Sequence, residues 1–409
     1  MTSRNVLTSG VAAALLLALV GCTPQAAAPE PTIAPDDRVP LELSLGTLLP
    51  ETGALAAFGP ATEAAVELAA GDINNADAGI TVTVTNADAG DATTDTSIAS
   101  VTTLLDTGVT VIVGAISDNV SRKVLDQIVG AGVVQISPGN VSTDFTRAAD
   151  DGLYFRTAPS CALEGDALGR QIAADNVSTL GIVYETGYCE PGLPEALTAS
   201  FERAGGKVVS SEAYAAGATD LSAQVAAAST AKAAAVVVVG SSGVASVPAL
   251  TAAGYAGDDL YFAGLSIADH SADIAAGAIT GAVASLPGLD ISKLNAFTDR
   301  LLDVNPALTD FSFAAEAYDA TILAALAALA GNSTEGADIA AELQEVSGGS
   351  GKGVTATDFA AAARVILDGG VVDYDGPSGL IAFDDKGDPQ GAVIGLYRYG
   401  ADNQFKRID

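Results

Sequence analysis

The sequence predicts an α/β protein built from two doubly wound parallel-sheet lobes. From Leu41 onward, short β-rich runs alternate with helical stretches at intervals of about 25 to 30 residues, the spacing of βαβ units. The rhythm is nearly complete by about Phe155 and then restarts with a helix at Glu164 to Asp175. A chain of 409 residues, 49% hydrophobic and 17% charged, can bury a core in each of two such lobes.

In the first lobe, Leu41 to Leu48 reads as a strand. A loop, Leu49 to Gly59, leads into a helix on which Ala65, Leu68, Ala69 and Ile73 recur at helical spacing. Ile80 to Asn86 alternates as a half-buried strand does, Thr94 to Asp106 and Val120 to Ala131 read as helices, and Val109 to Val113 and Val133 to Ile136 as buried strands. In the second lobe, strands at Leu180 to Tyr184, Lys207 to Val209, Ala234 to Val239 and Leu260 to Ala263 are separated by helices at Leu193 to Ala204, Leu221 to Ala231 and Val244 to Ala253. After Leu286, helices near Ile291 to Asp303, Phe313 to Ala330 and Thr357 to Leu367 have the pattern of a return to the first lobe.

Charge and motifs exclude several function classes. With 50 acidic against 18 basic residues and a net charge of −32, the chain lacks the basic face that phosphate neutralisation needs, so no nucleic-acid partner is expected. Gly240-Ser241-Ser242-Gly243 has the wrong spacing for a nucleophile elbow, and a triad would have to use the single histidine, His270. Gly348 to Gly353 carries Lys352 followed by Gly where a phosphate loop needs Ser or Thr. Asp384-Asp385 reads as a turn and not as a calcium site. The expectation is therefore a protein with no catalytic residues, no metal and no cofactor.

Residues 1–21 read as a signal peptide: Arg4 precedes an apolar run, Gly10 to Val20, about ten residues long and too short to span a bilayer. Leu19-Val20-Gly21-Cys22 resembles the bacterial lipobox, which makes Cys22 the expected lipidation site. The Pro- and Ala-rich stretch to Pro40 reads as an extended tether holding a domain off the outer face of the cytoplasmic membrane. Outside the cytoplasm, Cys161 and Cys189 are most simply read as one disulfide, with two buried free thiols as the rival reading.

Ligands of open α/β sheets bind at loops after the strands, where backbone N–H groups and helix N-termini converge. Here those loops are Thr47 to Gly59, Gly114 to Ser121, Ser137 to Ser142, Glu185 to Gly192, Gly240 to Gly243 with Ser242, and Gly264 to Ala268. Along the same loops the chain resembles the type I periplasmic binding proteins of ABC importers, in the leucine/isoleucine/valine-binding and amide-binding branch. The residues that carry the resemblance are Leu49-Pro50-Glu51-Thr52-Gly53 with Phe58-Gly59, Ala69 to Asn74, Asp88, Ile136-Ser137-Pro138-Gly139, Tyr154-Phe155-Arg156-Thr157, Gly187-Tyr188, Gly217 to Ser222, Tyr374 to Gly379 and Gly387-Asp388-Pro389.

The resemblance implies three strands crossing between lobes, near Thr157, Leu286 and Ile381. The first lobe would then be 41–157 and 287–380, and the second 158–286 and 381–409. It implies hinge closure on a small solute, docking on permease subunits and a monomeric protein. By position it makes Phe58 and Tyr188 the aromatic contacts, Ser117, Asp118 and Asn119 one contact loop, and Gly139, Asn140 and Val141 the next, with Ser266 where an acid usually pairs with an α-ammonium. Asp118 falls at a Ser position and Val141 at a Thr position. If Asp118 faces the ligand, an α-amino acid suits the site poorly and a neutral or cationic solute suits it better; if Asn119 faces inward, that argument weakens. Cys161 and Cys189 fall on neighbouring loops at the second-lobe rim, where the family usually has an Asp and a Gly. A ligand sensor of the same fold is the alternative function, and an exported hydrolase a remote one.

Overall fold

The computed structural model describes residues 38–189, 191–264, 267, 270–287 and 294–408. The predicted signal segment, Cys22 and Ser266 lie outside the described residues. The last predicted tether residues do not all run free: Arg38 donates to the carbonyl of Leu329 at 2.6 Å.

The first sheet is all parallel, in the order β2-β1-β3-β4-β5. Its strands are β1 (Leu41–Leu49), β2 (Ile80–Asp88), β3 (Val111–Gly114), β4 (Val134–Ser137) and β5 (Tyr154–Arg156). Helices α1 (Gly59–Asn75), α2 (Thr96–Asp106) and α3 (Asp118–Gly130) make the crossovers. β3 and β4 are buried along their whole length, as strands covered on both faces must be; β3 accordingly reads as an apolar run and not as alternation, while β4 also buries Gln135 and Ser137.

The second sheet has the order β14-β13-β10-β9-β8-β6-β7. Its parallel part comprises β6 (Thr179–Glu185), β7 (Lys207–Tyr214), β8 (Ala235–Val239), β9 (Leu260–Ala263) and β10 (Val283–Pro287), with β13 (Ile394–Tyr399) and β14 (Phe405–Arg407) added antiparallel at one edge. Helices α4 (Cys161–Ala174), α5 (Gly192–Arg203), α6 (Ser222–Thr230) and α7 (Gly243–Ala253) cover it. α4 and α5 pack with almost no gap: a Cβ on Gly165 would stand 2.5 Å from the Leu193 carbonyl oxygen, and one on Gly169 2.7 Å from that of Leu197.

The chain then returns to the first lobe, as the sequence pattern suggests, through α8 (Asn295–Val304), α9 (Ala314–Gly331), α10 (Gly336–Val346) and α11 (Phe359–Leu367), with a small parallel pair β11 (Val354–Ala356) and β12 (Val372–Tyr374). α9 is apolar around nearly its whole circumference. Its length and composition would let it cross a membrane, yet 78% of it is buried inside the protein. It is the central helix of the first-lobe core, between the sheet and helices α1, α10 and α11.

One predicted boundary moves. Ile381 and Phe383 are buried in the first-lobe core, and the Phe383 ring packs on Phe155 at 5.2 Å. Gly387 accepts a hydrogen bond from the Arg156 N–H at 3.0 Å. Asp388 pairs with the Arg156 guanidinium at 2.6 Å, and both side chains are almost wholly buried. The segment 381–389 therefore belongs to the first lobe, and the third passage into the second sheet falls between Pro389 and Ile394, not at Ile381.

Candidate functional site

A cavity of about 660 Å³ lies between the lobes, a volume suited to a small organic molecule. The first lobe contributes Phe58, Ile116, Asp118, Gly139 and Val141 from the ends of its strands, and Phe297, Phe313 and Glu316 from the returning helices. The second lobe contributes Tyr188, Gly264, Tyr397 and Phe405, and the passage Leu286-Pro287 lies at the cavity wall. The site thus stands at the carboxyl ends of parallel strands, where chain direction brings loops and helix N-termini together.

Asp118 opens α3, so its negative charge stands at the positive end of that helix. Its Oδ1 accepts from the backbone N–H groups of Val141 at 3.0 Å and Ser142 at 3.3 Å. Burial raises its pKa, opposed by those two N–H groups and by the charges of Arg122 and Arg156. The donor loop is itself fixed from below: Arg156 donates to the carbonyl of Ser142 at 2.7 Å and to Thr146 Oγ1 at 2.9 Å, and its charge is matched by Asp388. Two sequence segments far apart in the chain, Tyr154 to Thr157 and Gly387 to Pro389, therefore form one buried bracket under the contact loop.

Glu316 lies in the first turn of α9 and its side chain meets the cavity. Enclosure by protein pushes its pKa up to about 7, with only its own backbone N–H in opposition. Beside it, the Phe313 ring meets the Phe58 ring edge to face at a centroid distance of 5.3 Å. Phe313 holds φ at 63°, an uncommon conformation for a bulky residue, and it does so at the cavity wall.

In the second lobe, Gly264 makes room for Tyr188: a Cβ there would stand 2.5 Å from the tyrosine ring. The carboxylate of Glu164 accepts from the Gly264 N–H at 2.9 Å and from Ser285 at 2.7 Å, and burial pushes its pKa up to about 7. Glu185 accepts from the N–H of Ser241 at 2.7 Å, just before α7. Cys161 and Cys189 are brought together, but as two buried free thiols and not as the predicted disulfide, with the Cys161 thiol facing the Cys189 carbonyl at 3.9 Å. Cys189 has φ of 46°, which accounts for the glycine expected at that position. Burial pushes its thiol pKa up, so the thiolate is disfavoured.

Of the residues predicted from sequence, Phe58, Asp118, Gly139, Val141 and Tyr188 line the cavity. Ser117, Asn119, Asn140 and Ser242 are not among its lining residues. Asn119 is exposed and accepts from Arg122 at 2.8 Å, whereas Asp118 lines the cavity. Asn140 is fully buried, tied to the carbonyl of Ile116 and to the Tyr154 hydroxyl, and Ser242 donates its N–H to the Tyr214 hydroxyl at 3.4 Å. Sequence reasoning missed Glu316, Phe297, Phe313, Tyr397 and Phe405. Two carboxylates, Glu316 and Asp319, near the start of a mostly apolar 18-residue helix were the available signal for Glu316.

The sequence pattern of the periplasmic binding proteins matches residues 42–375. No curated protein sequence matches the chain. Among solved structures, a leucine-binding protein from Thermotoga maritima MSB8 superposes with a TM-score of 0.65 at 16% identity, covering 90% of this chain and 98% of that one. A branched-chain amino acid transporter substrate-binding protein from Streptococcus pneumoniae, in complex with isoleucine, gives 0.63 at 18% identity, covering 90% and 100%. A solute-binding protein of an ABC transporter from R. palustris, in complex with benzoate, gives 0.63 at 17%, covering 90% and 95%. These structures share the type I periplasmic binding fold of two parallel-sheet lobes, and with the sequence pattern matched across 42–375 the chain belongs to the periplasmic binding protein family.

Proposed function

We propose that this chain is the extracytoplasmic solute-binding lipoprotein of an ABC importer, held at the outer face of the membrane by lipid on Cys22. It captures one small polar solute between its lobes, closes around it by a hinge at the strand passages, and delivers it to the permease without chemical change. The observation that carries this reading is the cavity of about 660 Å³ with walls drawn from both lobes and an interlobe passage at Leu286-Pro287. Phe58, Asp118, Gly139, Val141 and Tyr188 are the proposed contacts, joined by Glu316 and Phe313. Relatives of the same fold carry isoleucine and benzoate, which fits a site for a compact organic solute.

The test has two arms. Small-angle scattering of the processed protein with a panel of amino acids, amides, amines and aromatic acids should show contraction with at least one of them, accompanied by a raised melting temperature. Cys22→Ala should move the protein from the membrane fraction to the soluble fraction. A radius that no solute changes would overturn capture by closure, and an unaltered distribution of the Cys22→Ala variant would overturn the anchor.

A further inference from the structure

The charge of the cavity says more about its guest than the fold does. Among the described residues that line it, the charged side chains are Asp118 and Glu316, both acids, and no Lys, Arg or His is among them; Arg122 and Arg156 act on Asp118 from behind the lining and are themselves engaged by Asp144 and Asp388. An anionic guest would add a further negative charge to a poorly hydrated space, where like charges repel strongly. The backbone donors that could offset such a charge are already taken by the chain's own carboxylates at three of the facing loops. Asp118 holds the N–H groups of Val141 and Ser142, Glu185 that of Ser241, and Glu164 that of Gly264. The positive end of α3 faces Asp118 itself.

What is left to bind with is acidic and aromatic. The Glu316 carboxyl reaches the cavity with no side-chain partner among the described residues. Around the two acids stand Phe58, Phe297, Phe313 and Tyr188, rings whose negative faces attract an ammonium and whose area removes hydrocarbon from water.

We infer that the solute of this cavity is an organic cation, an amine or quaternary ammonium on an apolar body, with Asp118 and Glu316 as its counter-charges and the phenyl rings around its hydrocarbon. The inference rests on the solute-binding reading above and names the class of solute. A bound cation lowers the proton affinity of both acids, and because Glu316 is pushed up to about 7, binding at neutral pH releases part of a proton from it.

The test is calorimetry of the processed protein with phenethylamine and choline, set against their uncharged counterparts 2-phenylethanol and 3,3-dimethylbutanol and against leucine, benzoate and acetamide. At least one of the two cations should bind at least tenfold more tightly than its uncharged counterpart. Its observed enthalpy should vary with buffer ionisation enthalpy in the sense of proton release. Asp118→Asn and Glu316→Gln should each weaken it tenfold or more while far-UV circular dichroism is unchanged. If leucine, benzoate or acetamide binds and neither cation does, the cation inference is wrong while solute binding stands. If no compound binds, both are overturned. If binding of the cation survives both substitutions undiminished, the assignment of the two acids is wrong.

Discussion

Asp388→Asn is the sharpest probe of the bracket beneath the site. The substitution keeps the volume of Asp388 and its reach to Thr146 but deletes the charge that faces the guanidinium of Arg156, a side chain with no solvent exposure. Removing one partner of a buried ion pair leaves the other desolvated and uncompensated, at a cost of about 3 to 5 kcal/mol. With a urea m-value of roughly 2 to 3 kcal/mol per molar, the midpoint of first-lobe unfolding should fall by about 1 to 2.5 M. The chain contains no tryptophan, so far-UV circular dichroism is the natural readout. The double variant Arg156→Met with Asp388→Leu leaves no uncompensated charge and should recover part of the loss, the remainder reflecting the Ser142 carbonyl and Thr146 hydroxyl that lose their partners. A midpoint within about 0.3 M of the parent for Asp388→Asn, or losses in Arg156→Met and Asp388→Leu that simply add in their double, would refute the account.

Other consequences follow from the same geometry. Asp319 is fully buried, accepts hydrogen bonds from Ser378 and from the Tyr374 hydroxyl at 2.8 Å, and has its pKa pushed up to about 7 by burial, with Glu316 as a further like charge. A carboxyl that holds its proton more tightly when folded contributes stability that is complete below its unfolded pKa of about 4 and lost as the pH rises through about 7. The melting temperature of the ligand-free protein should therefore fall between pH 5 and pH 8, and Asp319→Asn should flatten that slope; an unchanged slope would refute the assignment. Denatured, unreduced chain lacking residues 1–22 should show reactive thiols at Cys161 and Cys189 with a disulfide reagent, while the native protein reacts slowly because both are buried; no thiols after denaturation would mean the bridge forms after all. Gly169→Val should destabilise the second lobe by about 1 to 3 kcal/mol in urea titration, since its side chain has to displace the backbone of α5, and no loss would contradict the packing.

The parts of this fold that were legible in the sequence are those where one local signal suffices. β8 is an unbroken apolar run and was placed within one residue, and α9 announces itself by length and apolarity. β14 spans three residues, Phe405 to Arg407, and forms only because β13 offers it an antiparallel edge, so no periodicity could reveal it. The boundary at Ile381 failed for a related reason. Nothing local in Ile381 to Pro389 states that Asp388 pairs with an arginine 232 residues away, and that pair holds the segment on the first lobe. At the site, the loops after the strands were legible because Gly, Ser and Asn mark turns wherever they occur. The returning helices were not, because Glu316 reads as an ordinary acid in a first helical turn and Phe313 as one more apolar residue ahead of a buried helix.

The division of roles between the lobes has a physical consequence for how such a site works. Both acids that face the cavity, and the bracket that fixes the first of them, belong to the first lobe, whereas Tyr188, Tyr397 and Phe405 of the second lobe add mainly apolar surface. On the proposed closure, the second lobe brings few charges to the guest; it removes water from the charges already there. Coulomb attraction at fixed distance grows as the surrounding dielectric falls. A cation held weakly by an open first lobe is thus held tightly once the aromatic wall arrives, and the tightening needs no rearrangement of Asp118, because the N–H groups of Val141 and Ser142 already fix it. Truncating Tyr188 to Ala should then chiefly speed the departure of the bound amine, by tenfold or more in stopped-flow dissociation, with little change in its association rate. A loss expressed in association alone would mean that Tyr188 guides entry and does not exclude water, and the assignment of roles to the two lobes would have to be reversed.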